Sequence, residues 1–297
     1  MIYIVTAMYA EAHPFITRFQ LKKDISHTRF QVFLNGEGSL CLIISGTGCV
    51  PAASAVSSIC TKYRAGSANS GDFLVNAGVC AQIWNNDIGR AENPFQQGTV
   101  FLCNKISELA TGKTFYPDIL YRHGFREAQI ITGAKPFEKA VAPRRAEKDF
   151  YLYDMEAAAI YQAGSYFFGP HRMSFLKIAS DDGNSGSVTP SQIGHLISRN
   201  MESMAEYLTR LQSAALKEDE DGIFQDDSMQ REMERLCLDL HCSRTMAQSL
   251  WQYIRYCILS GVDYPSVLKE MYREGKLPCR DKREGKQCFE ELRKRLL

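Results

Sequence analysis

The 297-residue chain lacks an excess of either charge, because 35 lysines and arginines are matched by 34 aspartates and glutamates. This balance provides no overall field that would attract nucleic acid or an anionic membrane. The first residues also lack a basic segment, and Glu11 and His13 interrupt the apolar run before it reaches the length of a signal peptide or membrane span. We therefore expect no membrane partner, and we expect any partner to be recognised locally.

The ten cysteines lack the tight spacing of a disulfide framework, and the chain is large enough to bury a core without such crosslinks. The pairs Cys237/Cys242 and Cys279/Cys288 do not have the spacing of zinc knuckles, and nearby His241 does not complete a zinc pattern. The sequence therefore favours a reducing cytoplasm, and we expect neither a metal nor a cofactor.

Short apolar or β-branched runs recur through the first two-thirds of the chain and alternate with helix-like stretches. This order predicts an α/β sheet covered by helices on both faces. The predicted strands are Tyr3–Thr6, Gln31–Leu34, Leu42–Ser45, Phe73–Asn76, Thr99–Leu102, Gln129–Thr132 and Ser174–Ala179. The predicted helices are Pro51–Tyr63, Glu156–Phe168 and a third that is capped by Thr189 and runs from Pro190 to Leu211.

A charged run without apolar periodicity, Lys217–Gly222, marks a domain boundary. We predict an α/β domain over residues 1–216, an acidic linker over 217–227 and a small all-α appendage over 228–297. Helical spacing in the appendage covers Met229–Leu259, Pro265–Arg273 and Phe289–Leu297.

A glycine-containing turn, Ser45-Gly46-Thr47-Gly48, follows an apolar strand and precedes the Pro51 helix. Flexible backbone and free amides at the carboxyl end of a strand suit a ligand site in an open α/β sheet. The spacing is not that of a Walker motif, because no Lys-Ser or Lys-Thr pair follows the glycines. Taken on its own, the segment is better interpreted as an ordinary glycine turn.

Acidic residues follow predicted strands at three further points. Asp154 and Glu156 stand before a run of alanines at a predicted helix start, where the helix dipole favours negative charge. Asp181 and Asp182 follow the strand Ser174–Ala179, and Glu11 follows the first strand. Taken singly these are a charged helix start, a turn and an exposed acid, but their common position predicts one site at the carboxyl edge of the sheet.

The order of these segments resembles the nucleoside phosphorylase and nucleosidase superfamily, and most closely its methylthioadenosine/S-adenosylhomocysteine nucleosidases. The resemblance covers residues 1 to about 216, and it implies a three-layer α/β/α sandwich around a twisted mixed sheet. It also implies a homodimer or a larger homo-oligomer. The matching segments are Ala7–Glu11, Ser45–Gly48, Val75–Gly78, Asp154–Ala159 and Ser180–Asp181.

The resemblance implies that Asp181 protonates N7 of a purine base and that Glu11 activates the attacking water. It implies further that Glu156 binds the ribose hydroxyls, while Met155 and Met8 pack against the sugar and its 5′ substituent. Asp154 departs from the family, in which glutamate is common at this position. The remaining residues of the implied substrate-binding set are Ser45, Gly46, Gly48, Gly78 and the base-stacking Phe137.

The absence of arginine at two positions of the sequence indicates whether water or phosphate is the nucleophile. The resembling phosphorylases have one arginine after the first strand and another before the central glycine turn, whereas Ala7–Ala12 and Leu74–Gly78 contain none. Water is therefore the predicted nucleophile, and the predicted activity is hydrolysis of a purine nucleoside. One alternative is a purine nucleoside phosphorylase that draws its phosphate ligand from Arg122 or Arg126.

A different alternative is a catalytically weak nucleoside-binding protein whose helical appendage is the working part. Within that appendage, Ser243–Ile254 would fit a helix-turn-helix motif. No helix in the appendage shows the clustered base-contacting residues of a DNA-reading element, so we expect no nucleic-acid partner.

Overall fold

A computed structural model describes residues 1–26, 29–63, 71–84, 97–137, 150–183, 188–220 and 227–296. The chain divides into two compact units, Met1–Glu220 and Asp221–Leu297. Among the described residues, no helix combines the length and the apolar character needed to cross a membrane.

The first unit is a mixed α/β fold around one central sheet, as the sequence predicts. Its described strands are β1 (Ile2–Thr6), β2 (Lys22–Lys23), β3 (Gln31–Leu34), β4 (Leu40–Ile44), β5 (Phe73–Trp84), β6 (Val100–Glu108), β7 (Thr114–Phe115), β8 (Arg126–Thr132), β9 (Phe150–Asp154) and β10 (Met173–Asp181). Its described helices are α1 (Tyr9–Arg18), α2 (Cys49–Tyr63), α3 (Ala157–Gly164), α4 (Pro190–Arg199) and α5 (Met201–Glu220).

The strands lie in the order β10-β6-β8-β9-β5-β1-β4-β3-β2, with β7 paired to β6. Strand β10 also pairs with β5, so β5, β9, β8, β6 and β10 close into a ring. The first part of β5 runs parallel to β1 and β10, while its last four residues pair with antiparallel β9. The long strand β5 therefore joins an open parallel sheet to a closed ring.

The parallel register aligns the carboxyl ends of several strands. Thr6 at the end of β1 pairs with Ile44 at the end of β4, and Val5 pairs with Asn76 in β5. At the other side of β5, Ala81 pairs with Asp181, the last residue of β10. The segments that follow β1 and β4 therefore lie at the same edge of the sheet as the end of β10, which is where ligands bind in such sheets.

Side chains alternate along the strands and pack into two separate hydrophobic cores, one on each face of the sheet. In β1, Tyr3 and Val5 pack with α2 and α3, whereas Ile2 and Ile4 pack with α1, α4 and α5. Helix α3 buries alanines and Gly164 against the sheet, and a β-carbon at Gly164 would meet the side chain of Leu74. These small residues let the helix that follows the acidic motif lie close to the sheet.

The structure corrects several sequence-based boundaries. Strand β9 was not predicted, and helix α3 begins at Ala157 and ends at Gly164, so Asp154 ends a strand instead of starting a helix. The predicted helix Pro190–Leu211 is two helices divided at Asn200, because the Asn200 amide donates to Leu196 O at 2.9 Å and to Gly98 O at 3.0 Å.

Helices lie at both ends of the predicted acidic linker, residues 217–227. Helix α5 continues through Glu220, and α6 (Asp227–Asp239) begins at the last linker residue. Residues 221–226 lie outside the described part of the chain. Charge without apolar periodicity did not distinguish a helix end from a linker.

The described residues of the second unit form α6 and three further helices, α7 (Arg244–Ser260), α8 (Tyr264–Arg273) and α9 (Lys282–Leu296). They share a core of their own. The predicted continuous stretch Met229–Leu259 is two helices, because His241 takes a left-handed conformation (φ 48°) and Ser243 caps α7 by accepting from Met246 N. Helix α9 begins at Lys282, earlier than the predicted Phe289.

Candidate active site

A cavity of about 390 Å³ opens at the carboxyl ends of the parallel strands. This volume is in the range of pockets that hold small organic ligands. Glu11, Asp154, Glu156 and Asp181 line it, and its described lining contains no lysine or arginine. The apolar part of the lining comes from Met8, Val79, Cys80, Ala81, Pro136, Phe137, Met155 and Val188.

Glu11 is only 2% exposed, which corrects the interpretation of this residue alone as an exposed acid. Helix α1 begins at Tyr9, so Glu11 lies in the first turn of the helix. Its carboxylate therefore lies next to the residues that follow β1. One carboxylate oxygen accepts from Ala7 N at 2.8 Å and Met8 N at 3.1 Å, and the other accepts from Val79 N at 2.8 Å. Burial raises the pKa of Glu11, although these amides and the charge of Lys177 oppose the rise.

Gly78 allows β5 to pass directly beneath Glu11. A β-carbon at this position would lie 2.7 Å from Glu11 Oε1, closer than non-bonded atoms approach. The glycine therefore keeps space for the carboxylate and leaves the neighbouring Val79 N–H able to bond it. This contact gives Gly78, one of the residues implied by the resemblance, a direct structural link to the acid.

Glu156 joins two turns of the site. Its Oε1 accepts from Gly48 N at 2.7 Å, and Gly48 adopts a left-handed conformation (φ 101°) that favours glycine. Burial and, to a smaller extent, the charge of Asp154 raise the pKa of Glu156 to about 7, although Lys177 and the Gly48 N–H act in the opposite direction. The glycine turn after β4 therefore holds a carboxylate of the β9–α3 connection, and Met155 lines the cavity beside it.

Asp181 is fixed by two neighbours on its own segment. Ser180 Oγ donates to one carboxylate oxygen at 2.7 Å, and Gly183 N donates to the other at 2.9 Å. Gly183 has φ 73°, so this tight turn also favours glycine. The paired strand register places Asp181 and Tyr153 on either side of Ala81.

Phe137 lines the cavity and packs edge-on against Tyr153, with the ring centroids 5.3 Å apart. The Tyr153 hydroxyl donates to Lys135 O at 2.9 Å, which fixes the segment that carries Phe137. A β-carbon on Gly183 would meet Phe137 at 2.7 Å. The aromatic ring therefore lies next to the turn that bonds the Asp181 carboxylate.

A buried ion pair that the sequence analysis missed lies at the Asp154 side of the cavity. Lys177 Nζ is 2.8 Å from Asp154 Oδ2, and the two side chains are 2% and 1% exposed. Asp154 also accepts from Thr132 Oγ1 at 2.7 Å and from Ala157 N at 2.9 Å. The available signal was a lysine in the middle of an apolar strand, where an unpaired ammonium would be costly.

The charge of Lys177 results from opposing effects. Burial alone would lower the pKa of this lysine, but the negative charges of Asp154, Glu156 and Glu11 outweigh burial and raise it. Lys177 is therefore an ammonium at neutral pH. It is not part of the cavity lining.

Most of the predicted site residues meet at this cavity. Those that line it are Met8, Glu11, Phe137, Met155, Glu156 and Asp181, while Gly48 and Gly78 contact the carboxylates from behind. Ser45 and Gly46 lie outside the lining. The Ser45 hydroxyl is 2.7 Å from Gly46 O and 3.2 Å from Thr6 O, and it is Thr47 that lines the cavity from this turn.

Arg122 and Arg126, the alternative phosphate ligands, lie elsewhere. They line a separate cavity of about 420 Å³ together with His123 and Arg210. The Arg210 guanidinium donates there to Arg122 O at 3.2 Å and pairs with Glu206. Within the described residues, no cluster of histidine, cysteine, aspartate or glutamate side chains could hold a metal ion.

The mixed sheet, with this cavity at its parallel carboxyl edge, is similar in fold to 5′-methylthioadenosine/S-adenosylhomocysteine nucleosidases of known structure. That of Campylobacter jejuni is 15% identical, with 69% of this chain and 96% of that chain covered and a TM-score of 0.54. The 5′-methylthioadenosine nucleosidase of Arabidopsis thaliana is 17% identical over 72% of this chain and 95% of that chain, with a TM-score of 0.54.

The futalosine hydrolase of Helicobacter pylori shares the same fold, at 13% identity over 69% of this chain and 97% of that chain and a TM-score of 0.52. No protein-family model and no curated protein matches the sequence. At these identities the likeness shows the fold, which the resemblance in sequence motifs predicted.

Proposed function

We propose that the chain hydrolyses the N-glycosidic bond of a purine nucleoside. The observation that carries this proposal is that Glu11 and Asp181 line one cavity together with Glu156 and Met155. Glu11 lies in the first of the matching sequence segments and Asp181 in the last. The structural neighbours support it, because they are nucleosidases and a futalosine hydrolase.

In the proposed reaction the bond between C1′ and N9 breaks while a water oxygen bonds to C1′. The carboxyl group of Asp181 gives a proton to N7, so that the base leaves neutral, and the carboxylate of Glu11 takes a proton from the water. Ser180 Oγ and Gly183 N orient the Asp181 carboxyl, and three backbone N–H groups fix Glu11. Both groups are therefore held in place before the substrate arrives.

The charge of the cavity suits the transition state of this reaction. As the bond to the base lengthens, the sugar becomes positively charged, and fixed carboxylates stabilise that charge more than they stabilise the neutral substrate. Glu156 is proposed to bind the ribose hydroxyls, with Met155 and Met8 against the sugar and Phe137 on the base. Apolar lining residues next to the sugar region are compatible with a 5′ substituent such as methylthio.

The same charge favours water over phosphate as the nucleophile. The described lining has four acidic side chains and no lysine or arginine, so it offers a phosphate dianion no cationic ligand. Arg122 and Arg126 line the other cavity and do not line this one. Phosphorolysis would need an arginine that the described part of this site does not contain.

A homo-oligomer is part of the proposal. Several large apolar side chains of the first unit are exposed, among them Tyr116 at 58%, Leu120 at 67% and Tyr166 at 80%, and a subunit contact would cover such side chains. The cysteines lack the spacing of a disulfide framework, which agrees with the proposed cytoplasmic location. Light scattering of the purified chain tests the assembly directly.

The activity test incubates the protein with a panel of purine nucleosides, with and without phosphate, and identifies the released base and sugar by mass spectrometry. We expect free base and free ribose without phosphate. Asp181→Asn should abolish release, whereas Asp118→Asn, which changes an exposed aspartate, should retain it. Absence of base release from every nucleoside would refute the proposal, and phosphate-dependent release of a sugar phosphate would replace hydrolysis with phosphorolysis.

A further inference from the structure

Lys177 occupies an unusual position for a lysine. It lies in the middle of β10, pairs with Phe101 and Gly78 on the neighbouring strands, and is 1% exposed. Burying an ion pair of this kind is costly, and apolar side chains of the same volume generally stabilise a fold as well or better. The pair with Asp154 is therefore poorly explained by stability alone.

The surroundings of Lys177 are strongly acidic. Thr132 Oγ1 and Ala157 N donate hydrogen bonds to the Asp154 carboxylate and hold it in place. The Lys177 ammonium, 2.8 Å from Asp154, therefore has a fixed partner. The charges of Glu11, on α1, and of Glu156, in the β9–α3 connection, also act on the ammonium, and Lys177 pairs in register with Gly78, which lies against Glu11. The other titratable groups that face this cluster are Asp181 on β10, Glu108 and Cys103 on β6, Cys80 on β5 and Cys49 on α2.

Among the described residues of this cluster, Lys177 is the only cation, and several carboxylates surround it. Carboxylates that are buried together take up protons unless a positive charge compensates them. A protonated Glu11 cannot accept a proton from water, and a protonated Glu156 loses an anionic contact to the ribose. The charge of Lys177 consequently affects both acids without any contact between Lys177 and the substrate.

We propose that Lys177 is a positioning residue whose ammonium, anchored by Asp154, keeps Glu11 and Glu156 in place as anions. Asp154 has the opposite electrostatic effect on Glu156, so the pair sets the pH at which the site becomes active. This inference rests on the proposed nucleosidase function. The two residues have opposite influences, since Lys177 lowers the pKa of Glu156 and Asp154 raises it.

The test compares the pH profile of kcat/KM in Lys177→Met, Asp154→Asn and the wild type. Loss of Lys177 should move the acid limb up by about one pH unit or more, because the acids then ionise later. Loss of Asp154 should move the same limb down. A purely structural role would lower activity evenly across pH and would not shift the limb in opposite directions.

Two further variants keep the test decisive. In Asp154→Asn the charges of Glu11 and Glu156 still act on the ammonium. The second variant, Lys177→Met/Asp154→Asn, differs from it only in the charge of Lys177. Comparing the two therefore measures the effect of that charge, and in neither protein is an aspartate left buried without its cation. The double variant should have its acid limb at higher pH than Asp154→Asn. Lys113→Met changes an exposed lysine and serves as the matched control, with an unshifted limb.

A second measurement separates failure of this inference from failure of the proposed function. Carbon-13 NMR of glutamate-labelled protein follows the Glu156 carboxyl, assigned with Glu156→Gln, in the absence of any substrate. The titration midpoint should rise from Asp154→Asn to the double variant, even if no nucleoside is hydrolysed. Equal midpoints in these two proteins would overturn the role of Lys177, whatever the activity.

Discussion

Each of the two units of the chain contains ion pairs, and their lengths are nearly equal. In the first unit, Lys177 is 2.8 Å from Asp154, and both side chains are at most 2% exposed. In the second unit, Lys276 is 2.7 Å from Glu274, and Arg295 is 2.8 Å from the same glutamate, with side chains that are 24–37% exposed. The distances do not distinguish the pairs, but the surroundings do.

The difference shows what burial adds to charge. Water screens the exposed network of the second unit, and such pairs contribute little to stability. Around the cavity, low dielectric surroundings strengthen every interaction, so one carboxylate changes the pKa of another and a fixed N–H group holds an anion in place. Charges around the cavity of the first unit therefore change the pKa values of neighbouring acids, whereas the charges of this network in the second unit are screened by water.

The largest expected effect is the loss of a buried acid. Glu11→Gln keeps the shape of the side chain but removes the proposed proton acceptor, so kcat should fall by about 10²–10⁴-fold, the range of general acid–base contributions. Glu37→Gln changes an exposed acid of the same unit and should leave kcat unchanged. Steady-state kinetics at saturating nucleoside measures both, and a Glu11→Gln enzyme with wild-type kcat would remove Glu11 from the mechanism.

A smaller loss is expected when the acid remains but is displaced. In Gly78→Ala the new methyl group would lie 2.7 Å from Glu11 Oε1, so the carboxylate must move away from its amide donors. Misplacement of about 1 Å can cost roughly 10²-fold in rate, and kcat should fall to that extent. Gly36→Ala is the matched control, because nothing lies within 4 Å of its added methyl group. Similar kcat values for the two variants would show that Gly78 does not position Glu11.

The sequence allowed prediction of the sheet and of the acids at its edge, because strand periodicity and motif order are local signals. It did not reveal the strand Phe150–Asp154, whose pairing with β5 and β8 depends on residues far apart in the chain. For the same reason Glu11 was read alone as an exposed acid, although its bond from Val79 N joins segments 68 residues apart.

Lys177 and Thr132 show the same limit at the site itself. Neither belongs to a recognisable motif, and their significance comes from contacts with Asp154 across three strands. The sequence shows that Asp154 replaces the glutamate common in the resembling nucleosidases, but it does not indicate the partners of Asp154. Ser45 and Gly46 were selected with their turn, whereas the structure places Thr47 in the cavity lining.

A moderate effect on stability follows from Glu156. Its pKa is about 7 in the folded protein, compared with 4.5 for an ordinary glutamate, so between these pH values the folded state holds a proton that the unfolded chain has released. The free energy of unfolding should therefore fall as pH rises through this range, by roughly 1–3 kcal/mol, and this contribution should be absent above it.

Urea unfolding of the wild type and Glu156→Gln between pH 4.5 and 8 measures this contribution as the difference between the two proteins. The glutamine variant should lose the slope that Glu156 causes, because it has no proton to release. Parallel stability curves would show that burial does not perturb Glu156. Glu37→Gln again provides the control, with a slope like that of the wild type.

The smallest effect is expected at the exposed network, where the comparison of the two units is most direct. Lys276→Met removes a cation that contacts both Glu274 and Glu291, yet solvent can take over the solvation of these acids, so the urea midpoint should stay within experimental error. Lys177→Met removes a cation at a similar distance from its partner and leaves Asp154 buried and unpaired, so its midpoint should fall clearly. High salt should erase any residual effect of Lys276→Met and leave that of Lys177→Met in place, since screening hardly reaches a buried pair. If both variants shifted the midpoint equally, distance and not burial would govern these pairs, and the contrast between the units would fail.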